Sequence, residues 1–267
     1  MSLFPGVYEN GRPDGPVVVL LHSSLSSARQ WQALISELQG HWRILNLDLL
    51  GYGQAPAPHD KERPFSLAQE VQRIEGILAD YEVESFTLVG HSFGGAVALK
   101  LAYELGDRVE SMALFEPVAF HLLNPDSEGL TEVLSISGQM TQADNFQAAQ
   151  QFVDYWNGKG YFAALPERLQ AGMAAQVPKV RQDFEGLIGE GYTLTDYRAL
   201  TLPCLLMAGE QSRRSSRAVA KALSHTLPDC RFTFTPGGHM APISHSEAVN
   251  KHILCFLDSI SSHPARY

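Results

Sequence analysis

Along the chain, short runs of β-branched residues and leucine alternate with stretches in which apolar residues recur every three or four positions. The runs at 17–21, 43–47, 86–89, 112–115, 205–207 and 232–234 have the length and composition of buried strands. Between them, Trp31, Leu34, Ile35 and Leu38 predict one helix, and Leu67, Val71, Ile74, Leu78 and Tyr81 a second. Val249, Ile253, Phe256 and Ile260 predict a third. Ser27 with Gln30, Ser66 with Gln69 and Ser244 with Glu247 have the spacing of a capping box, in which two side chains satisfy orphan N–H groups at a helix start. Strands alternating with helices require crossover connections, so the expected architecture is a doubly wound α/β sheet, mainly parallel and covered on both faces.

One region breaks this rhythm. Between 118 and 198 no strand pattern occurs, whereas 145–173 and 179–191 carry helical spacing and several aromatic residues. The expected organisation is a core domain from 1–117 and 199–267, with 118–198 inserted as a helical cap.

Composition and charge narrow the function. The 267 residues are 45% hydrophobic and 18% charged, enough apolar material for one large packed core. A net charge of -9 disfavours nucleic acid and anionic membrane surfaces as partners. The first residues lack a basic segment followed by an apolar one, and no stretch reaches the roughly 18 apolar residues of a spanning helix. The expectation is a cytoplasmic protein acting on a small molecule, with the oligomeric state left open. Cys204, Cys230 and Cys255 are odd in number and lie in apolar segments, so they are expected to be small buried hydrophobes and not a disulfide framework. The ten histidines form no metal-ligand motif, and no metal or cofactor is expected.

The segment TLVGHSFGGAVAL, 87–99, places a polar residue inside an apolar run. Its G-x-S-x-G form, between a predicted strand and a helix closed by Gly106, suits a nucleophile held on a tight turn. Side chains at Gly90 and Gly94 would crowd that turn, and the helix N-terminus behind Ser92 offers N–H dipoles to a developing negative charge. Read locally, Ser92 is equally a helix cap, so the motif needs partners.

Four segments supply them. LLHSSLSSARQW, DLLGYGQA, GHSFGGAVAL and PGGHMAPISHSEAVNKHI, in this order, resemble the α/β-hydrolase superfamily over nearly the whole chain outside the insertion. The resemblance implies a parallel eight-stranded sheet with a catalytic triad at its carboxyl edge. It makes Ser92 the nucleophile and His239 the general base. It implies an oxyanion hole from the backbone N–H groups of Phe93 and Ser24, although Ser23 stands where the family commonly has glycine. The hydroxyls of Ser23 and Ser24 are alternative substrate contacts. His22 and His91 are expected to be structural, as is the loop of Asp48, Gly51 and Gly53.

The third triad member departs from the pattern. The resemblance implies an aspartate where this chain has Ser212, in AGEQSRRSS. Two carboxylates compete for the role. Glu116 follows the strand at 112–115 and precedes Pro117, which biases it towards an extended backbone; some relatives carry the acid after this strand. Glu210 lies in the usual turn, two residues early, and is the alternative; a base without an acid is the third.

A serine cannot serve as the carboxylate nucleophile of the haloalkane dehalogenases and epoxide hydrolases that share the fold, which leaves acyl transfer to water. The expected function is a carboxylesterase-like serine hydrolase of small or medium apolar esters. A cofactor-free C–C bond hydrolase and a lactonase are alternatives, and a non-catalytic ligand receptor is the alternative from another class. Phe152, Tyr155, Trp156, Tyr161 and Phe162 are candidates either for a pocket wall or for packing.

Overall fold

The computed structural model describes residues 4–58 and 64–261. In chain order the elements begin with β1 (Val7–Gly11), β2 (Val17–Leu21), α1 (Gln32–Leu38), β3 (Arg43–Leu47), α2 (Leu67–Asp80), β4 (Phe86–His91), α3 (Phe93–Leu105) and β5 (Val109–Phe115). Helices α4 (Glu128–Gln142), α5 (Asn145–Asn157), α6 (Glu167–Ile188) and α7 (Leu194–Tyr197) follow. The chain then completes β6 (Cys204–Gly209), α8 (Arg214–Ser224), β7 (Cys230–Thr235), α9 (Ala241–Ser244) and α10 (Ser246–Ser261).

The sheet runs β1-β3-β2-β4-β5-β6-β7, with β1 antiparallel to β3 and every other pair parallel. Among the described residues it has seven strands, one fewer than the resemblance implied. β4, which leads into Ser92, is central and buried at all six positions. β1 escaped the hydrophobic pattern because VYENG is an edge strand whose burial never becomes complete. β7 was expected to be buried, yet Phe232 and Phe234 are exposed: the opposite edge leaves one face to solvent, where the two rings pack on each other.

Two apolar layers cover the sheet. Val18, Leu20, Val89, Ala113 and Met207 pack against α1 and α10, while the other face joins α2, α3 and α8. The second layer also takes in Val133 and Met140 of α4, Phe152 and Trp156 of α5, and Val180 and Phe184 of α6, so the inserted helices share an apolar core with the sheet. No strand occurs from 118 to 198. The pattern split 145–173 from 179–191, but α6 runs unbroken through Pro178. No described helix is long and apolar enough to cross a membrane.

None of the three expected capping boxes forms. Gln30 turns its carbonyl oxygen to Ser23, Ser66 makes no side-chain cap bond, and Ser244 lies in α9, before the helix it was expected to start. Ser27 instead accepts from Arg29 N–H alone, and the Ser244 hydroxyl bonds Met240 O and His245 Nδ1 within its own turn. Cys204 is buried and Cys230 half-buried, but Cys255 is exposed, on the solvent side of α10.

Candidate active site

Ser92 sits at φ 56°, ψ -117°, between β4 and α3. Such a left-handed backbone is costly for a serine, roughly 1–3 kcal/mol, and persists only where the surroundings fix it. They do so here through Ser92 N–H donating to Phe115 O (3.0 Å) and Gly94 N–H donating to His22 O (3.1 Å). Glycine is required on both sides: a Cβ at Gly90 would lie 2.7 Å from Gly94 O, and one at Gly94 2.5 Å from His22 O.

His239 Nε2 lies 2.8 Å from Ser92 Oγ, and its Nδ1 lies 2.7 Å from Glu116 Oε2. With Nδ1–H donating to the carboxylate, Nε2 is left as acceptor for the serine hydroxyl. Ser92, His239 and Glu116 are 6%, 2% and 0% exposed, so this relay is shielded from bulk water. Burial opposes the charge on Glu116, but hydrogen bonds from His239 and Gly209 outweigh it and hold the carboxyl below its ordinary range. The Ser212 hydroxyl lies beside the carboxylate and favours its charge, without meeting full hydrogen-bond geometry to any group.

Glu116 reaches His239 because β5 lies between β4 and β6. A carboxylate one strand in from the usual turn meets the same imidazole, and the β6 turn supplies an N–H donor, Gly209, to its other oxygen at 2.8 Å. The backbone of Glu116 contradicts the expected extended form: φ is 42°, despite the following proline. Glu116 N–H donates to Met207 O at 2.9 Å, so the ladder with β6 imposes this turn. Glu210, the alternative acid, is not brought to the imidazole. Glu210 is exposed, its backbone N–H is tied to Thr235 O, and the Nδ1 it would need already faces Glu116.

The two other histidines are held in fixed neutral forms. His22 Nδ1–H donates to Ser23 O and Nε2 accepts from Leu49 N–H; burial pushes its pKa down to about 4. His91 Nε2–H donates to His239 O at 2.8 Å, anchoring the loop of the base, and burial holds its pKa well below the ordinary value.

At the proposed oxyanion hole, neither the Ser24 nor the Phe93 amide takes part in the turn and loop hydrogen bonds of the described residues. The hydroxyls differ from expectation: Ser23 Oγ donates to Gln30 Oε1 and Ser24 Oγ to Asp183 Oδ2, which leaves neither as a ready substrate contact. Asp48 accepts from Ala28 N–H, Gln54 N–H and the Tyr8 hydroxyl, as a structural loop residue should.

A cleft of about 720 Å³ opens over the relay, lined by Ser24, Ser92 and His239 on the sheet side and by Phe152, Leu165 and Met173 on the helical side. Trp156 also lines it, with its ring stacked on His239 at 3.8 Å between centroids and 27° between planes. Tyr155 and Tyr161 line the cleft too, whereas Phe162 is buried against Phe146. Sequence reasoning missed Asp183 and Lys179. Their signal was present: Asp183 falls on the apolar stripe of Val180, Phe184 and Leu187, where a carboxylate is out of place.

A family model described as "Alpha/beta hydrolase family" matches residues 18–252. The chain belongs to this family. A haloalkane dehalogenase of Agrobacterium fabrum is 33% identical, over 44% of this chain and only 36% of that protein. This α/β hydrolase is also 28% identical to 2-hydroxymuconate semialdehyde hydrolase of Pseudomonas putida, over 80% of this chain and 76% of that one. Its fold matches the crystal structure of the enol-lactonase from Burkholderia xenovorans LB400, with a TM-score of 0.77 and 19% identity, covering 95% of this chain and 96% of that one.

Proposed function

We propose that the protein is a serine hydrolase working through an acyl-enzyme on Ser92. The observation that carries this reading is the continuous contact of Ser92, His239 and Glu116, at 2.8 and 2.7 Å, opening on a cleft. His239 takes the serine proton as Oγ attacks a carbonyl carbon, and the Ser24 and Phe93 amides receive the oxygen that becomes negative. The imidazolium then gives its proton to the leaving group. A water attacks the acyl-enzyme, passing its proton to His239, which returns it to Ser92 as the acid product leaves. Glu116 stays ionised and holds Nδ1–H, while the Trp156 ring faces the passing positive charge on His239. The chemistry needs no metal or cofactor.

Residues 118–198 act as the cap. Their apolar lining suits a small or medium apolar acyl group, the expected ester substrate. A second reading, cleavage of a diketone C–C bond or a lactone, draws on the similarity to the semialdehyde hydrolase and fits the same machinery equally well. In a C–C substrate the leaving group is an enolate carbon, and His239 supplies its proton. The partial likeness to a dehalogenase does not carry over, because Ser92 occupies the nucleophile position.

Two measurements test this. A fluorophosphonate probe should label the wild type and not Ser92→Ala; absence of labelling from pH 6 to 9 would instead favour a binding protein. A panel of p-nitrophenyl esters, lactones and diketones then assigns the bond, and preference for diketones would overturn the ester reading while keeping the nucleophile.

A further inference from the structure

The buried face of α6 carries two charges, Lys179 and Asp183, paired one helical turn apart and only 7% and 1% exposed. Removing such a pair from water is costly, and apolar residues of similar size often serve stability as well. A function for the pair is therefore sought in what it touches.

Asp183 Oδ2 accepts from Ser24 Oγ at 2.6 Å and from the Tyr52 hydroxyl, while Lys179 meets Oδ1. Lys179 Nζ lies 4.8 Å from the centre of the Phe93 ring and 4.0 Å from that of Phe65. One ion pair from the insertion thus contacts both residues whose amides face the developing oxyanion in the reading above. The loop it holds has no glycine from 23 to 26, and its one left-handed residue is Leu25, at φ 55°, directly after Ser24. A strained backbone of this kind is kept in place by its surroundings. On the other side of the loop, Gln30 accepts from Ser23 N–H.

We propose that Lys179 and Asp183 position the oxyanion-binding amides, Asp183 fixing the Ser24 peptide through its hydroxyl and Lys179 the Phe93 backbone through its ring. The proposal rests on the serine-hydrolase reading. Both are positioning residues, since neither touches the reacting atoms, and their charges neutralise each other close to a site that must accept a negative oxygen. The acceptor site is complete only while α6 is seated, so the insertion sets reactivity as well as pocket shape.

The test compares wild type with Ser24→Ala, which keeps the amide and loses the bond, and with Lys179→Met/Asp183→Leu, which removes both charges and leaves neither unpaired. Three quantities are read: turnover of the fastest substrate in the panel above, inhibition by an aryl trifluoromethyl ketone, whose serine adduct carries the oxyanion, and hydrogen exchange of the amides at 23–26. An oxyanion donor is worth about 10²–10³ in kcat, so partial loss of aim should cost about 10- to 100-fold in the double variant and roughly 5- to 10-fold in Ser24→Ala. The ketone Ki should rise by the same factor, KM should stay within threefold, and exchange at 23–26 should quicken. Ser24→Thr should recover most of the loss. A fall in kcat with unchanged ketone affinity, or kcat and Ki within threefold of wild type, overturns the proposal. If the double variant does not fold, Ser24→Ala decides by the same criteria. Should wild type fail to react with a fluorophosphonate, the hydrolase reading falls on its own, and unchanged exchange at 23–26 would separately remove the positioning role.

Discussion

The carboxyl edge of the sheet and the helices above it build their parts of the cleft in different ways. At the edge, backbone geometry does the positioning: Ser92 and Glu116 each directly follow the last residue of a strand and Gly209 ends one, and hydrogen bonds to Phe115 O and Met207 O carry the ladder past the strand ends. The inserted helices reach the Ser92 and His239 region through side chains, a ring on His239 and a carboxylate on Ser24. Ladders tolerate little displacement, whereas packed side chains can be exchanged one at a time. On the proposed function, the scaffold holds the chemistry and the helices leave selectivity open to change.

The sharpest way to break this contrast is at Glu116. Replacing it with Gln should lower kcat by about 10⁴-fold, as loss of the charge that orients the base does elsewhere, while Glu210→Gln stays within twofold of wild type. Steady-state rates on the best substrate check both, and a large effect at Glu210 would return the acid to the usual turn. Next comes Phe184, which stacks on Phe120 and meets Phe152 edge-on within the inserted helices. Phe184→Ala should cost about 3–5 kcal/mol of stability, read from urea midpoints. If the loss were confined to α4–α7 and left the sheet's amide protection intact, the helices would be a separate cooperative unit despite the shared core.

Trp156→Leu tests the side-chain route itself. An indole facing a cation contributes about 0.5–2 kcal/mol, so kcat should fall by roughly 3- to 30-fold with Ser92 still reactive towards the probe. Full activity would make the ring a pocket wall and nothing more. The smallest effect lies at the seam of the two regions, where Glu70 accepts from Leu50 N–H and burial pushes its carboxyl pKa up to about 7, against the pull of Lys179. A raised native pKa means that the folded state holds this proton more tightly, so wild type loses stability as pH rises from about 4.5 to 7 through this group. Glu70→Gln should therefore gain on wild type across that window, seen as a Tm difference that grows with pH. A constant difference would exclude the linkage.

Much of the edge was legible because its requirements are local. Gly90, Ser92 and Gly94 must fall at fixed spacing for a serine to stand on a tight turn, and His239 follows its strand by a short loop. The helices between β5 and β6 were legible as a run without strands, but Asp183 was visible only as a carboxylate on an apolar stripe, with nothing to name its partner 159 residues away. The capping boxes at Ser27, Ser66 and Ser244 were misread because spacing alone does not fix the partners: Ser27 caps Arg29 N–H while Gln30 turns to Ser23, Ser66 makes no cap bond, and Ser244 bonds Met240 O and His245 Nδ1 within its own turn. The apolar edge strand β7 was misread for a related reason: periodicity records which residues favour burial, not how many layers the fold has to cover them.

By itself the sequence determined the alternation of strands and helices and the tight turn that carries Ser92, set by short-range sterics and spacing, while the resemblance to the hydrolase superfamily pointed to His239 as the proposed base. Strand order decided which carboxylate meets His239: Glu116 was favoured over Glu210 from the sequence, but only β5 lying between β4 and β6 brings its carboxylate to Nδ1. The same holds for the ring over His239 and the ion pair behind Ser24. These contacts join segments far apart in the chain, and their energies exist only after the sheet and the helices have closed on each other.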